Sequence, residues 1–138
     1  MKRLSFLCLA SLLFFASGCV NIKKTPSDPT VTFTEADGTS LTLKAGQSFA
    51  IELGGNITTG FRWRASKENE NQGIVKFLRE DYKTKQSDPT LAGAPGNHYF
   101  YYRAEEPGEC ILRFEYLRPW EEKDPSLLKT REYQITVE

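Results

Sequence analysis

The chain has 138 residues, 39% of them hydrophobic and 12% aromatic, enough for one domain with its own core and too few for two. Eighteen basic residues balance eighteen acidic ones, so no net positive field argues for binding nucleic acid.

Residues 1–18 differ from the rest. Lys2 and Arg3 give a charged start, Leu4 to Phe15 is almost wholly apolar, and Ala16-Ser17-Gly18 precede Cys19. The pattern reads as a secretory signal peptide. Its apolar run is shorter than the ~20 residues a spanning helix needs. Small residues directly before a cysteine resemble the bacterial lipobox, in which that cysteine is lipidated and becomes the new N-terminus. Ala16 stands where that box more often carries leucine. The resemblance implies a membrane anchor on Cys19 and a place in the bacterial cell envelope, facing the periplasm or the exterior. Removing residues 1–18 takes away two basic residues and no acidic ones, which leaves 16 against 18 and a formal charge of −2. With Cys19 lipidated, Cys110 has no disulfide partner. It lies in an apolar alternation and reads as an inert, buried thiol.

Residues 19–30 follow as a lipidated end and flexible tether, with Lys23, Lys24, Pro26, Asp28 and Pro29 and no apolar period. One domain then spans residues 31–138. Period-two patterns dominate it. Val31 and Phe33 alternate with threonines, and Leu41 and Leu43 alternate with Thr42 and Lys44. Phe49, Ile51 and Leu53 form the next run, then Phe61, Trp63 and Ala65. Val75 to Tyr82 is weaker and is compatible with a strand or a helical turn. His98 to Tyr102 is aromatic on both faces, as a central or covered strand would be. Cys110, Leu112, Phe114 and Tyr116, then Tyr133, Ile135 and Val137, complete the set. Each run with one apolar face suits a half-buried antiparallel strand. About eight short strands with turn signals between them predict a β-sandwich or barrel.

Three connections look unlike minimal hairpins: residues 54–60, 84–97 and 118–129. Long loops on a rigid β-scaffold are where binding resides. The first, Asn56-Ile57-Thr58-Thr59-Gly60-Phe61, pairs an asparagine able to fold onto its own backbone with a glycine free in φ. Its tip should expose a small hydroxyl and an apolar group. The second, Gly93-Ala94-Pro95-Gly96, has small residues that allow close approach of another molecule. No helix follows it, so a phosphate site is not indicated. The third opens Arg118-Pro119-Trp120. Pro119 should end the strand. Trp120 then either projects as a binding anchor or folds back over the sandwich edge.

Together these loops resemble the chagasin family of cysteine-peptidase inhibitors. The family's Asn-Pro-Thr-Thr-Gly-aromatic, Gly-x-Gly-Gly and Arg-Pro-Trp motifs correspond to Asn56–Phe61, Gly93–Gly96 and Arg118–Trp120, in the family's order. Ile57 stands in place of a proline, which removes a fixed φ. Pro95 stands in place of a glycine, which removes a backbone N–H. The resemblance implies an all-β, immunoglobulin-like antiparallel β-sandwich with the three loops gathered at one end. It also implies reversible, non-covalent inhibition of papain-like cysteine endopeptidases. The first loop would enter the cleft, with Thr58 nearest the catalytic cysteine and the other two loops flanking it. No cofactor or metal is implied, and the chain is expected to be a monomer.

An enzyme would need a nucleophile and a base, and the only histidine, His98, could in principle pair with Cys110. Both lie in predicted strands, so two packed core side chains are the expectation. After the leader, one histidine and two cysteines are too few for a zinc site. The rival binding function is an immunoglobulin-like envelope lipoprotein that recognises a glycan or another envelope protein.

Overall fold

The computed structural model describes residues 31–71, 73–85, 93–121 and 128–138. The leader, Cys19 and the tether lie outside the described residues. Among the described residues eight strands form: β1 Val31–Phe33, β2 Ser40–Leu43, β3 Ser48–Gly55, β4 Arg62–Ala65, β5 Val75–Thr84, β6 Gly96–Ala104, β7 Gly108–Leu117 and β8 Lys129–Val137. They make two four-stranded sheets, ordered β1-β3-β6-β5 and β2-β8-β7-β4.

The all-β sandwich follows the alternation in the sequence. The sheets are mixed, however, rather than wholly antiparallel. β1 runs parallel to β3, and β2 runs parallel to β8. The cause is a short crossover. After Phe33 the chain turns through a single 3-10 turn, capped by reciprocal Thr34 and Asp37 side-chain bonds, and enters the opposite sheet as β2. One short segment thus supplies an edge strand to each sheet. The aromatic run on β6 is explained by its place between β3 and β5. The inward Phe100 and Tyr102 fill the core, while Tyr99 and Tyr101 face outward beneath Lys83 and Arg79.

Val75–Thr84 is a strand and not a helical turn. Its alternation is blurred by an irregularity between Phe77 and Arg79. As an edge strand, β5 is also largely open to solvent, with Val75 its one buried residue. The core is built across the two sheets. Phe100 meets Phe114 at 4.8 Å between ring centroids, and Tyr133 meets Phe114 at 5.9 Å. Ring pairs at these separations add to the burial term. Cys110 is a buried free thiol, and burial pushes its pKa up, as expected of an inert core cysteine.

The β6–β7 hairpin at Glu105 to Pro107 bridges the sheets at the end opposite the three long loops. His98 lies seven residues before that hairpin begins and Cys110 two residues into β7. At about 3.3 Å per strand residue, the two lie at different ends of the sandwich. They are separate core residues and cannot form a dyad.

Candidate functional site

The first loop is a single 3-10 turn, Ile57–Thr59, between β3 and β4. Asn56 caps it. Its Oδ1 accepts from the Thr58 amide at 3.1 Å and from the Thr58 hydroxyl at 2.6 Å. The Thr59 hydroxyl donates to the Asn56 carbonyl at 2.7 Å. Gly60 closes the turn at φ +85° and donates its amide to the Ile57 carbonyl at 3.0 Å. Such a φ costs a residue with a Cβ about 1–2 kcal/mol. These bonds hold the turn without the proline that Ile57 displaces. The tip presents Ile57, Thr58 and Thr59 to solvent, the hydroxyl and apolar group expected there.

Two side chains tie the neighbouring loops to this turn. From within it, Asn56 Nδ2 donates to the Gly93 carbonyl at 2.9 Å, which fixes the second loop. From the third loop, Arg118 Nε donates to the Thr59 carbonyl at 3.1 Å. The Arg118 guanidinium lies 4.3 Å over the Phe61 ring and pairs with Glu121 at 3.2 Å. Phe61 in turn stacks on Tyr116 at 5.3 Å, and Tyr116 packs at a tilt against Trp63 at 5.0 Å. An aromatic pile therefore runs from the core to the base of the loops. It places a half-buried arginine between the first and third loops.

β7 ends at Leu117, and Pro119–Glu121 forms a short 3-10 turn. Trp120 combines the two arrangements left open by the sequence. Its ring covers Gly60, where a Cβ would stand 2.4 Å from Cη2, yet the side chain remains 70% exposed. One part of the indole rests on the first loop and the rest faces outward.

The thirteen loop residues singled out in the sequence thus fall into different roles. Ile57, Thr58, Thr59, Gly93, Pro95, Pro119 and Trp120 are exposed, and Ala94 is half-buried. Asn56, Gly60, Phe61 and Arg118 shape the surface. Gly96 departs from expectation: it is a buried residue of β6, not a loop-surface residue. A Cβ there would stand 2.5 Å from the Lys83 carbonyl and from the Tyr82 ring. Glycine is needed at that position to let β5 and Tyr82 close on β6. Pro95, which has no N–H to donate, accepts at its carbonyl from the Lys85 amide at 3.0 Å.

The sequence profile of the chagasin family, peptidase inhibitor I42, matches residues 42–137. The chain belongs to the chagasin family of peptidase inhibitors. Chagasin of Trypanosoma cruzi is 33% identical over 87 residues, which cover 61% of this chain and 76% of chagasin. A cysteine protease inhibitor of Entamoeba histolytica superposes with a TM-score of 0.60 at 18% identity, over 80% of this chain and 99% of that one. PbICP-C, in a structure of its complex with falcipain-2, superposes with a TM-score of 0.53 at 22% identity, over 81% of this chain and 93% of that one. These two share the fold. Family membership makes this chain an inhibitor and not an enzyme.

Sequence reasoning missed Tyr116 and Glu121. Tyr116 looks like any inward strand residue, but it stacks on Phe61 and packs against Trp63, and its hydroxyl accepts from the Asn56 amide at 3.4 Å. Glu121 had a legible signal: it stands three residues after Arg118, on the same face of one turn.

Proposed function

We propose that this family member inhibits papain-like cysteine endopeptidases reversibly, by seating the Ile57–Thr59 turn in the active-site cleft. The observation that carries the reading is the pair of ties from the turn to its neighbours, Asn56 to Gly93 and Arg118 to Thr59. They hold three loops as one wedge before any partner arrives. A pre-organised wedge loses little entropy on docking. Thr58, small and already hydrogen-bonded to Asn56, meets the catalytic cysteine without transferring an acyl group to it. Trp120 and the Gly93–Pro95 segment lie against the two rims. No covalent step is involved.

The lipobox-like run before Cys19 supports a second element of the proposal. The inhibitor is held at a membrane of the cell envelope by lipid on Cys19, with residues 20–30 as its tether. Several acyl chains together anchor firmly where one does not. Cys19→Ala should release the protein from the membrane fraction or leave it unprocessed; unchanged fractionation and mass would refute the anchor.

The experiment for the inhibitory reading is a set of inhibition constants against several papain-like enzymes and several serine peptidases. Inhibition confined to the cysteine enzymes is expected. Inhibition of neither class would turn the reading toward an envelope-binding module.

A further inference from the structure

Among the described residues, two buried side-chain polar atoms have no hydrogen-bond partner, His98 Nε2 and the Tyr102 hydroxyl. Leaving such a group unpaired is unfavourable. Both residues border the same flank of the sandwich, between the edge strands β4 and β5. Tyr102 lines a cavity of about 170 Å³ with Phe77, Glu70 and Glu80. Its neighbour Asn69 holds the Arg113 backbone, donating one side-chain N–H to the carbonyl at 2.8 Å and accepting from the N–H at 2.9 Å, and keeps its second N–H on the Tyr102 side. His98 lines an adjoining cavity of about 320 Å³ with Trp63, Tyr82, Glu80 and Ile57. Glu80 borders both, so the two form one groove. Its far end is closed by Ile57 of the inhibitory turn.

Glu80 is an unusual occupant of its position. It pairs in register with Phe100, a fully buried residue, and so shares that face of β5, yet its side chain is exposed. A charge at such a position blunts an edge strand against self-pairing. That explains the charge but not the aromatic walls. The groove offers acceptors, the exposed Glu70 and Glu80 carboxylates, beside the faces of Phe77 and Tyr82. Asp81 adds a third carboxylate at the rim. Arg62 and Arg64 form the other wall, and Arg64 is held to Glu115 at 2.8 Å. Carboxylates beside aromatic faces are the chemistry that receives a cation on an aliphatic stem.

We infer that this flank groove receives a long basic side chain, arginine or lysine, from the rim of the bound peptidase. The inference rests on the inhibitory reading above, since the groove is continuous with the first loop through Ile57. It makes Glu80 a specificity-determining residue outside the three loops. Papain-like enzymes with a basic residue beside the cleft are bound more tightly than those without one.

His98 is the sole histidine of the chain, so its ring signals in an NMR spectrum report on the groove alone. The full chain in detergent micelles is titrated with N-acetyl-arginine amide and, in parallel, with N-acetyl-norleucine amide. The arginine probe should shift the His98 signals and the norleucine probe should not. Glu80→Gln should weaken the arginine effect at least tenfold. In parallel, Glu80→Gln should raise the inhibition constant about tenfold for at least one papain-like enzyme of a panel. Equal response to both probes overturns the inference. So does a Glu80→Gln chain that inhibits every panel member as well as the parent, while Thr58→Arg still disables it. A parent chain that inhibits no enzyme but responds to the arginine probe overturns both the peptidase as source and the reading beneath it.

Discussion

Replacing Gly60 with alanine perturbs the first and third loops at their point of contact. The new methyl meets two separate obstacles. Gly60 holds φ at +85°, and a residue with a Cβ in that region costs about 1–2 kcal/mol. The same Cβ would stand 2.4 Å from Cη2 and 2.9 Å from Cζ2 of Trp120, inside any ordinary carbon contact. The indole is free on its outer side and can swing away, so this clash is relieved by movement of Trp120 rather than by unfolding. The stability loss is therefore set by the backbone, about 1–2 kcal/mol, or roughly 4–10 °C in melting temperature for a domain of this size. Inhibition should fall further than stability does. A displaced Trp120 forfeits an anchor of the kind that costs about 2 kcal/mol or more when lost, some thirtyfold in the inhibition constant. The assay pairs thermal melts and tryptophan fluorescence with inhibition constants for Gly60→Ala, Trp120→Ala and the double variant. Because the two residues touch, the double variant should lose less affinity than the sum of the single ones. An alanine variant with unchanged melting and unchanged inhibition would refute both the positive φ and the Trp120 contact.

Asn56→Ala removes the cap of the 3-10 turn and the tie to Gly93, and should cost about 1 kcal/mol of stability together with a larger loss of inhibition; equal losses in the two assays would mean that the cap is only structural. His98 makes stability depend on pH. Burial, assisted by Arg62, lowers its pKa from 6.5 to about 4, so the unfolded chain takes up a proton in acid before the folded one does. The stabilising contribution is complete above pH 6.5, declines as pH falls toward 4 and is spent below that. Over that window the parent should lose about 3 kcal/mol more than His98→Leu, read from urea melts between pH 7 and pH 4. Parallel curves for the two proteins would show that the imidazole is not buried neutral.

The sandwich was legible wherever one face of a strand is wet. Leu41 and Leu43, and Cys110 to Tyr116, alternate because one side of each meets the core and the other is open to water. Where that contrast fails, so does the pattern. Val75–Thr84 lies at a sheet edge with an irregular register, and the exposed Glu80 shares the face of the buried Phe100. Lys129 to Glu132 continue β8 as an entirely exposed stretch, which has no apolar face to announce it. The parallel pairing of β1 and β2 depends on which strand each short segment meets, and alternation is silent on that.

The loops divide in the same way. Their motifs name the residues, and Asn56 capping its own turn could be anticipated from local chemistry. The ties that assemble the wedge span 37 residues from Asn56 to Gly93 and 59 from Arg118 to Thr59. Contacts at such separations are fixed by the sheets beneath them. Gly96 shows the converse: it sits within a loop motif, but the demand for glycine there comes from Tyr82 and the Lys83 carbonyl.

The most direct test of the wedge is the inhibition constant of Thr58→Arg against papain, measured beside its melting curve. Thr58 is exposed at the tip of the turn, so an arginine there should leave the fold nearly as stable as before. In a closed cleft the same side chain would clash and bury an uncompensated charge. The account predicts a rise of orders of magnitude in the inhibition constant with the melting temperature within a degree or two of the parent. A Thr58→Arg protein that melts normally and inhibits at the parent concentration would show that the Ile57–Thr59 turn does not occupy the cleft.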